Sequence, residues 1–138
     1  MEYDYKDLIS YLKVCTQDLQ TLHRHLRSDK FFSEHEQLGD YYDKVGEILD
    51  AVIELGLSLG YEDVSIAVGI EKFGLLDERD YSTKEAFNNV YKEFNNVINI
   101  IENIKPNLTG FVVSKLEEFQ YYFQIEANYK IKRMFQAK

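Results

Sequence analysis

Cysteine, proline and tryptophan are nearly absent from this sequence, whose 138 residues contain one cysteine, one proline and no tryptophan. A single cysteine excludes a disulfide framework within the chain. The sequence also lacks any run of eighteen apolar residues, so we predict no membrane span and no membrane partner. The first residues, MEYDYKDL, are charged and lack the apolar core of a secretory signal peptide. These absences favour a cytoplasmic protein.

Positive charge is also scarce, because 24 acidic residues outnumber 16 lysines and arginines and give a net charge of −8. Such a chain is poorly suited to binding the phosphate backbone of a nucleic acid. Hydrophobic residues make up 45% of the sequence and charged residues 29%, which is typical of a globular protein. The length is sufficient for one domain with its own core, and we predict a single domain over residues 1–138.

Apolar residues recur every three or four positions in the first part of the chain, which is typical of an amphipathic helix. The spacing predicts a helix over about residues 3–27. Cys15 lies within its apolar stripe, so we expect a buried thiol rather than a nucleophile. The stripe consists of Leu8, Leu12, Cys15, Leu19, Leu22 and Leu26.

A second helix is predicted after the polar break Ser28-Asp29-Lys30. Ser33 and Glu36 have the spacing of a capping box, which predicts a helix start at about residue 34. Gly60 is a suitable residue for the end of this helix. The predicted core stripe consists of Leu38, Tyr42, Val45, Leu49, Val52 and Leu59.

Two further helices follow residues 61–81, a connection too long to join adjacent antiparallel helices directly. Its segment YEDVSIAVGIEKFG has room for a short helix. Ser82 and Glu85 form another capping box, and Pro106 marks the end of the third helix. The predicted core residues are Phe87, Val90, Tyr91, Phe94, Val97, Ile98 and Ile101 in the third helix, and Val112, Leu116, Phe119, Phe123, Ala127, Ile131 and Met134 in the fourth. The pattern predicts an all-α protein, a ferritin-like four-helix bundle with a long crossover between its second and third helices.

The three histidines, His23, His25 and His35, all lie within HRHLRSDKFFSEH, around the predicted break between the first two helices. His23 and His35 therefore meet at one end of a helical hairpin. Because His35 lies in the first turn of its helix, the helix dipole disfavours its protonated form. A neutral imidazole is the form that binds a metal.

Four potential ligands share one face of the second helix on a 100° helical wheel, away from its core stripe. They are His35, Asp43, Asp50 and Glu54. Gly39 and Gly46 lie on the same face, and because glycine costs about 1 kcal/mol relative to alanine inside a helix, we expect another helix to approach there. The alternative is that both glycines are tolerated surface residues.

His35 and Asp50 are too far apart to bind the same ion within one chain. Fifteen residues of helix span about 22 Å. Two such hairpins packed antiparallel about a two-fold axis would place the histidines of one chain near the carboxylates of the other, which makes two equivalent sites per dimer. Asp50 and Glu54, spaced i, i+4, could then share a cation, although acidic pairs at this spacing are common on solvated helix faces.

This arrangement resembles a known motif. The spacing of His23, His35, Asp50 and Glu54 resembles the ferroxidase motif of the Dps-like ferritins, His-x11-His-x3-Asp-x10-Asp-x3-Glu. The stretches FFSEHEQLGDYYDKVGEILDAVIELGLSLG and DERDYSTKEAFNNVYKEF also resemble that family, and the similarity extends over residues 8–135. It implies a ferritin-like bundle that assembles into hollow dodecamers, oxidises ferrous iron, usually with hydrogen peroxide, and stores the ferric mineral as part of an oxidative-stress response.

The resemblance also implies the ligands. His23 and His35 of one chain, with Asp50 and Glu54 of its mate, would bind iron across a two-fold interface. Asp43 and His25 are less certain ligands. The protein would then be a ferroxidase-type oxidoreductase that binds iron (Fe²⁺/Fe³⁺), with zinc as another candidate metal.

The sequence departs from the family pattern at several positions. Gly39 occupies the position of the first aspartate of the motif, and Arg24 that of a usual tryptophan. The stretch KPNLTGFVVSK contains no carboxylate where the family has pore aspartates, and Phe111 occupies one of those positions. The lysine-rich N-terminal tail of DNA-binding members is missing, so we expect no DNA binding. These departures define the alternative: a degenerate ferritin-like protein without turnover, acting as a structural or interaction protein or as a simple metal binder.

Overall fold

Helices dominate the computed structural model, which describes residues 2–136. The elements in chain order are α1 (Tyr5–His25), β1 (Leu26–Arg27), α2 (Phe31–Ser58), α3 (Ile66–Phe73), β2 (Tyr81–Ser82), α4 (Thr83–Ile104), a 3₁₀ turn (Lys105–Asn107), α5 (Gly110–Ile125), a π-helix (Glu126–Ile131) and α6 (Lys132–Gln136). Within residues 2–136, no helix is both long and apolar enough to span a membrane.

Helix α1 forms the predicted first helix to within two residues at each end. Its N-terminus carries a capping box in which the Asp4 carboxylate accepts from the backbone of Asp7, and the Asp7 carboxylate accepts from that of Asp4. All six residues of its predicted stripe are buried in a core shared with α2, α4 and α5. Cys15 is fully buried, so its prediction as a core thiol is confirmed.

The predicted start of the second helix is wrong by about one turn. Helix α2 begins at Phe31, and the Ser33 hydroxyl donates to the Lys30 carbonyl instead of capping the helix. Glu34, rather than Glu36, makes the polar contact at this end, because its carboxylate accepts from the hydroxyls of Ser28 and Thr83. These hydrogen bonds give the Glu34 carboxylate and the Ser28 hydroxyl partners at the turn, where the helix begins about one turn earlier than predicted. The predicted C-terminal residue Gly60 has a φ of +89°, as a glycine after a helix end allows.

The buried face of α2 is rotated from the predicted stripe. Leu38, Val45 and Val52 are buried as predicted, whereas Tyr42, Leu49 and Leu59 are only half-buried. Tyr41, Ile48 and Gly56 occupy the core instead. At Gly56 the approach of α1 is close, since an added Cβ would lie 2.7 Å from the Tyr5 ring.

The crossover between α2 and α4 contains the predicted short helix, α3, which packs against α1. An added Cβ on Gly69 would lie 2.6 Å from the Ser10 carbonyl oxygen, so this approach requires glycine. Ion pairs of Lys13 with Asp63 and of Lys72 with Asp7 attach the crossover to α1. The crossover ends where β2 pairs in parallel with β1, next to the turn between α1 and α2.

Helix α4 follows the predicted pattern, with the capping box of Ser82 and Glu85 present and the helix ending just before Pro106. Tyr91 and Ile98 of its predicted core are half-buried.

The predicted fourth helix is not continuous, because α5 gives way to a π-helix at Glu126. Ala127 and Ile131 remain buried through the wider turns, whereas Met134 is exposed and Phe119 is half-buried, contrary to the predicted stripe. The buried Glu126 carboxylate accepts from the Lys130 ammonium at 2.8 Å, within the π-helix itself. This pairing satisfies a charge that the interior would otherwise leave without a partner.

Two carboxyl groups meet inside the bundle, those of Asp18 in α1 and Glu93 in α4, and we refer to them as the acid pair. Asp18 is 5% exposed and accepts from the backbone N–H of Leu76 at 2.9 Å, which attaches the crossover to α1. The Glu93 carboxyl group lies near that of Asp18 and near the Cys15 thiol, and its buried Oε1 has no hydrogen-bond partner among residues 2–136. Burial raises the pKa of both carboxyl groups, that of Glu93 well above its usual range.

Candidate metal site

The end of the α1–α2 hairpin brings two histidines together, as the sequence predicts. His23 lies in the last turn of α1 and His35 near the start of α2. Their rings are stacked, with centroids 3.8 Å apart and planes 16° apart. Phe31, one helical turn before His35, stacks on His35 at 4.8 Å. Sequence reasoning missed this contact of Phe31, although its i, i+4 spacing from His35 is a signal for it.

Two reciprocal hydrogen bonds hold the histidine rings. His23 Nδ1 lies 2.8 Å from the His35 carbonyl oxygen, and His35 Nδ1 lies 2.8 Å from the His23 carbonyl oxygen. A carbonyl oxygen can only accept, so each Nδ1 carries the proton and donates. In the neutral rings, each Nε2 then keeps a free lone pair, which is the arrangement that metal-binding histidines use.

Gly39 lies directly against the His23 ring. An added Cβ at Gly39 would be 2.9 Å from His23 Cε1 and 3.2 Å from Nδ1, whereas one at Gly46 would have no atom within 4 Å. Within this chain the helix that approaches Gly39 is α1, through its His23 side chain, and the approach expected at Gly46 stays a prediction. Around Gly46 the face of α2 is open in the isolated chain.

An open cavity of about 570 Å³ adjoins the histidine pair. It is lined by Gln20, His23, Arg24, His35, Glu36, Gly39, Asp40, Tyr42 and Asp43. With neutral histidines, its three carboxylates and one guanidinium give it an acidic balance that favours a cation. Arg24 is exposed at this cavity.

The structure brings only some of the predicted ligands together. His23, His35 and Asp43 share the cavity, whereas His25 is half-buried in the same turn of α1 and does not line it. Asp50 and Glu54 are exposed further along α2. Within residues 2–136, no group of three or more histidine, cysteine or acidic side chains could hold a metal ion. A complete site in a single chain is therefore absent from the part that the structure describes.

Comparison with known proteins places this geometry on a recognised fold. A Dps protein from Bacillus brevis superposes with a TM-score of 0.84 at 14% identity, covering 95% of this chain and 91% of that one. Dps from Staphylococcus aureus gives 0.71 at 19% identity, with 94% and 91% covered. Dps from Listeria innocua, soaked with zinc, gives 0.70 at 19% identity, with 96% and 97% covered. The chain has the fold of the Dps proteins.

The Dps fold confirms the predicted fold class, an all-α ferritin-like four-helix bundle with a long crossover. The predicted resemblance to the Dps-like ferritins is thereby confirmed for the fold, whereas the ligands His23, His35, Asp50 and Glu54 stay a prediction. No family model matches the sequence, and no curated protein does. At identities of 14–20%, the likeness concerns the fold, and the chemistry has to be argued from the side chains.

Proposed function

We propose that this protein binds ferrous iron between two of its chains and oxidises it. The observation that carries the proposal is the histidine pair, whose two Nδ1–H groups are both engaged by carbonyl oxygens beside an acidic cavity. The Dps fold, and two exposed carboxylates on the same helix, support it.

The proposed ligands come from two chains. His23 and His35 of one chain supply Nε2 lone pairs, and Asp50 and Glu54 of a second chain supply carboxylate oxygens across a two-fold axis. Imidazole suits ferrous iron, whereas carboxylates favour the harder ferric product. Asp43 lines the cavity and serves as a further carboxylate near the ion, and His25 is left without a role at the site.

The proposed reaction transfers one electron from each ferrous ion to the oxidant. Two ferrous ions and hydrogen peroxide, with two protons, give two ferric ions and two water molecules. The carboxylates at the cavity neutralise part of the additional positive charge on the ferric product, which lowers the cost of holding it.

The proposed assembly is a homo-oligomer in the cytoplasm, built from one domain per chain, with a two-fold dimer as its smallest active form. A dodecamer that stores mineral extends the proposal. In such a cage, Phe111, which is 67% exposed at the start of α5, would line an apolar rather than an acidic entry route for iron.

The test is anaerobic titration with ferrous iron, followed by addition of hydrogen peroxide, on the wild type and on Asp50→Ala/Glu54→Ala. We expect saturable binding and rapid ferric absorbance in the wild type, and loss of both in the double variant. Light scattering on the same samples measures the assembly. Binding that is indifferent to the double substitution would overturn the inter-chain site.

A second candidate function is a simple metal binder without turnover. The observation that favours it is Gly39, which supplies no carboxylate at the position in contact with the His23 ring. The same titration separates the two functions. A binder holds ferrous iron or zinc but leaves the rate of iron oxidation at that of the protein-free solution.

A further inference from the structure

The contact between Gly39 and His23 has a consequence for the ligands that this chain can offer. We propose that the absence of a side chain at Gly39 lets the His23 ring lie against α2, a contact that we call the seat, and that position 39 adds no carboxylate to the two imidazole nitrogens of the site. The location of the metal rests on the proposed function, whereas the seat itself does not.

The first step is steric. At 2.9 Å from His23 Cε1, a Cβ on residue 39 would lie closer than real contacts allow, so any side chain there must displace the ring. The contact is with a planar ring held on two sides, not with the end of a flexible chain. His23 is stacked on His35 at 3.8 Å and hydrogen-bonded through Nδ1 to the His35 carbonyl.

The second step concerns the free nitrogen. Displacing the His23 ring breaks the hydrogen bond that its Nδ1–H donates to the His35 carbonyl oxygen. This hydrogen bond fixes the tautomer of His23. The proton can then reside on Nε2 and block the ligand. Loss of such orienting contacts typically lowers metal affinity 10- to 100-fold. Gly39 is thus a positioning residue that acts on the metal through His23.

The third step concerns selectivity. A carboxylate at position 39 and His23 in its present place exclude each other, so position 39 adds no oxygen donor beside the two imidazoles. Two imidazoles suit borderline divalent ions such as Fe²⁺, Co²⁺ and Zn²⁺ better than hard ions such as Mg²⁺ and Ca²⁺. Because position 39 supplies no carboxylate for a second ion, the site is expected to hold one ion.

Gly46 provides a matched control. It lies seven residues further along the same face of α2, and an added Cβ there meets nothing within 4 Å. Gly39→Ala and Gly46→Ala therefore make the same chemical change in the same helix, and only the first one reaches the His23 ring.

The first measurement uses metal-free protein and reads the imidazole nitrogens by long-range ¹H–¹⁵N NMR above pH 8. In the wild type and in Gly46→Ala we expect the Nδ1–H tautomer for His23 and His35, assigned with His25→Ala. In Gly39→Ala we expect His23 alone to change. Unchanged His23 signals in Gly39→Ala, or an Nε2–H tautomer in the wild type, would overturn the inference.

The second measurement is titration with Zn²⁺ against a competing chelator, together with Mg²⁺ as a hard ion. We expect one Zn²⁺ per chain in the wild type, at least tenfold weaker binding in Gly39→Ala, and no competition by millimolar Mg²⁺. Gly39→Asp should also bind more weakly. A second ion or tighter binding in Gly39→Asp would overturn the inference, because the carboxylate would then coexist with His23.

The NMR and titration measurements together distinguish the contact between Gly39 and His23 from the proposed function. A wild type that shows both Nδ1–H tautomers but binds neither Zn²⁺ nor Fe²⁺ supports the seat and overturns the proposed function. A wild type that binds Zn²⁺ through Asp50 and Glu54, with Gly39→Ala unchanged in both arms, supports the function and overturns the seat.

Discussion

The histidine pair and the acid pair are two places where titratable side chains of this chain lie close together. They differ in whether an atom of the pair remains available to bind a ligand. In the histidine pair, backbone carbonyls accept from both Nδ1 atoms, and a lone pair is left over beside an open cavity. In the acid pair, Asp18 accepts from the backbone N–H of Leu76, and the Glu93 carboxyl group lies buried near Asp18 and the Cys15 thiol.

Burial of an ionisable group is therefore a weak indication of function by itself. The acid pair has its pKa values raised by burial, yet its contacts are directed toward the crossover and toward Cys15. The histidine pair is only half-buried, but its orientation leaves each Nε2 without a hydrogen-bond partner among residues 2–136. We therefore expect substitutions in the histidine pair to change metal binding and those in the acid pair to change stability.

The largest expected effect is on metal affinity. His23→Ala should weaken Zn²⁺ and Fe²⁺ binding by about 100-fold, since it removes one of two nitrogen ligands and the ring that stacks on His35. His25→Ala, in the same turn of α1, is the matched control and should change affinity less than twofold. Calorimetric titration of both variants measures this difference. Equal losses in the two variants would mean that His25 is a ligand and that the cavity has been misassigned.

The next effect is on stability. Asp18→Ala should lower the free energy of unfolding by about 2 kcal/mol, because it leaves the Leu76 N–H without its acceptor. Asp18→Asn keeps an acceptor for Leu76 and should cost less. Urea denaturation at one fixed protein concentration measures both variants. Zn²⁺ affinity should be unchanged in each, and an affinity loss in Asp18→Asn would show that the acid pair and the histidine pair are coupled.

Several features of the fold were predictable from the sequence because they are local. The burial of Cys15, the capping box of Ser82 and Glu85, and the helix end at Gly60 each follow from residues close together in the chain. The meeting of His23 and His35 is also a local consequence, since a short turn in a helical hairpin places its flanking residues side by side.

Other features depend on contacts between distant segments, and periodicity does not report them. Asp18 lies on the first helix and Glu93 on the third predicted helix, and nothing in either stretch indicates that their carboxyl groups lie close together. The π-helix was missed because the i, i+4 spacing of Ala127 and Ile131 fits an α-helix equally well. The early start of α2 was missed because Thr83, far along the chain, donates a hydrogen bond to the Glu34 carboxylate.

A smaller effect concerns pH. The pKa values of Asp18 and Glu93 are raised above the ordinary values of 3.8 and 4.5, so the folded state holds protons that the unfolded chain releases. Their contribution to stability is complete below about pH 4 and declines as the pH rises toward the folded pKa values. Glu93→Gln cannot ionise and should flatten this decline. We expect its urea midpoint to exceed that of the wild type at pH 8 more than at pH 4.5.

That comparison requires a control for other titrating groups. Glu36→Gln removes a carboxyl group at the histidine cavity, where the side chain is exposed, and should leave the pH dependence of the urea midpoint unchanged. An identical pH dependence in the wild type and Glu93→Gln would show that burial does not raise the pKa of Glu93 in the folded protein.

The smallest effect distinguishes the two glycines by stability alone. Gly46→Ala should raise the free energy of unfolding by about 0.5–1 kcal/mol, the usual gain for alanine over glycine within a helix. Gly39→Ala gains the same helix stabilisation, but its Cβ must displace the His23 ring and break the hydrogen bond of that ring to the His35 carbonyl. We therefore expect the free energy of unfolding of Gly39→Ala to be lower than that of Gly46→Ala. Adding His23→Ala to both variants removes that obstacle and should bring their stabilities together. If the two glycine variants are equally stable while His23 is present, the ring is free to move and does not need the space over Gly39.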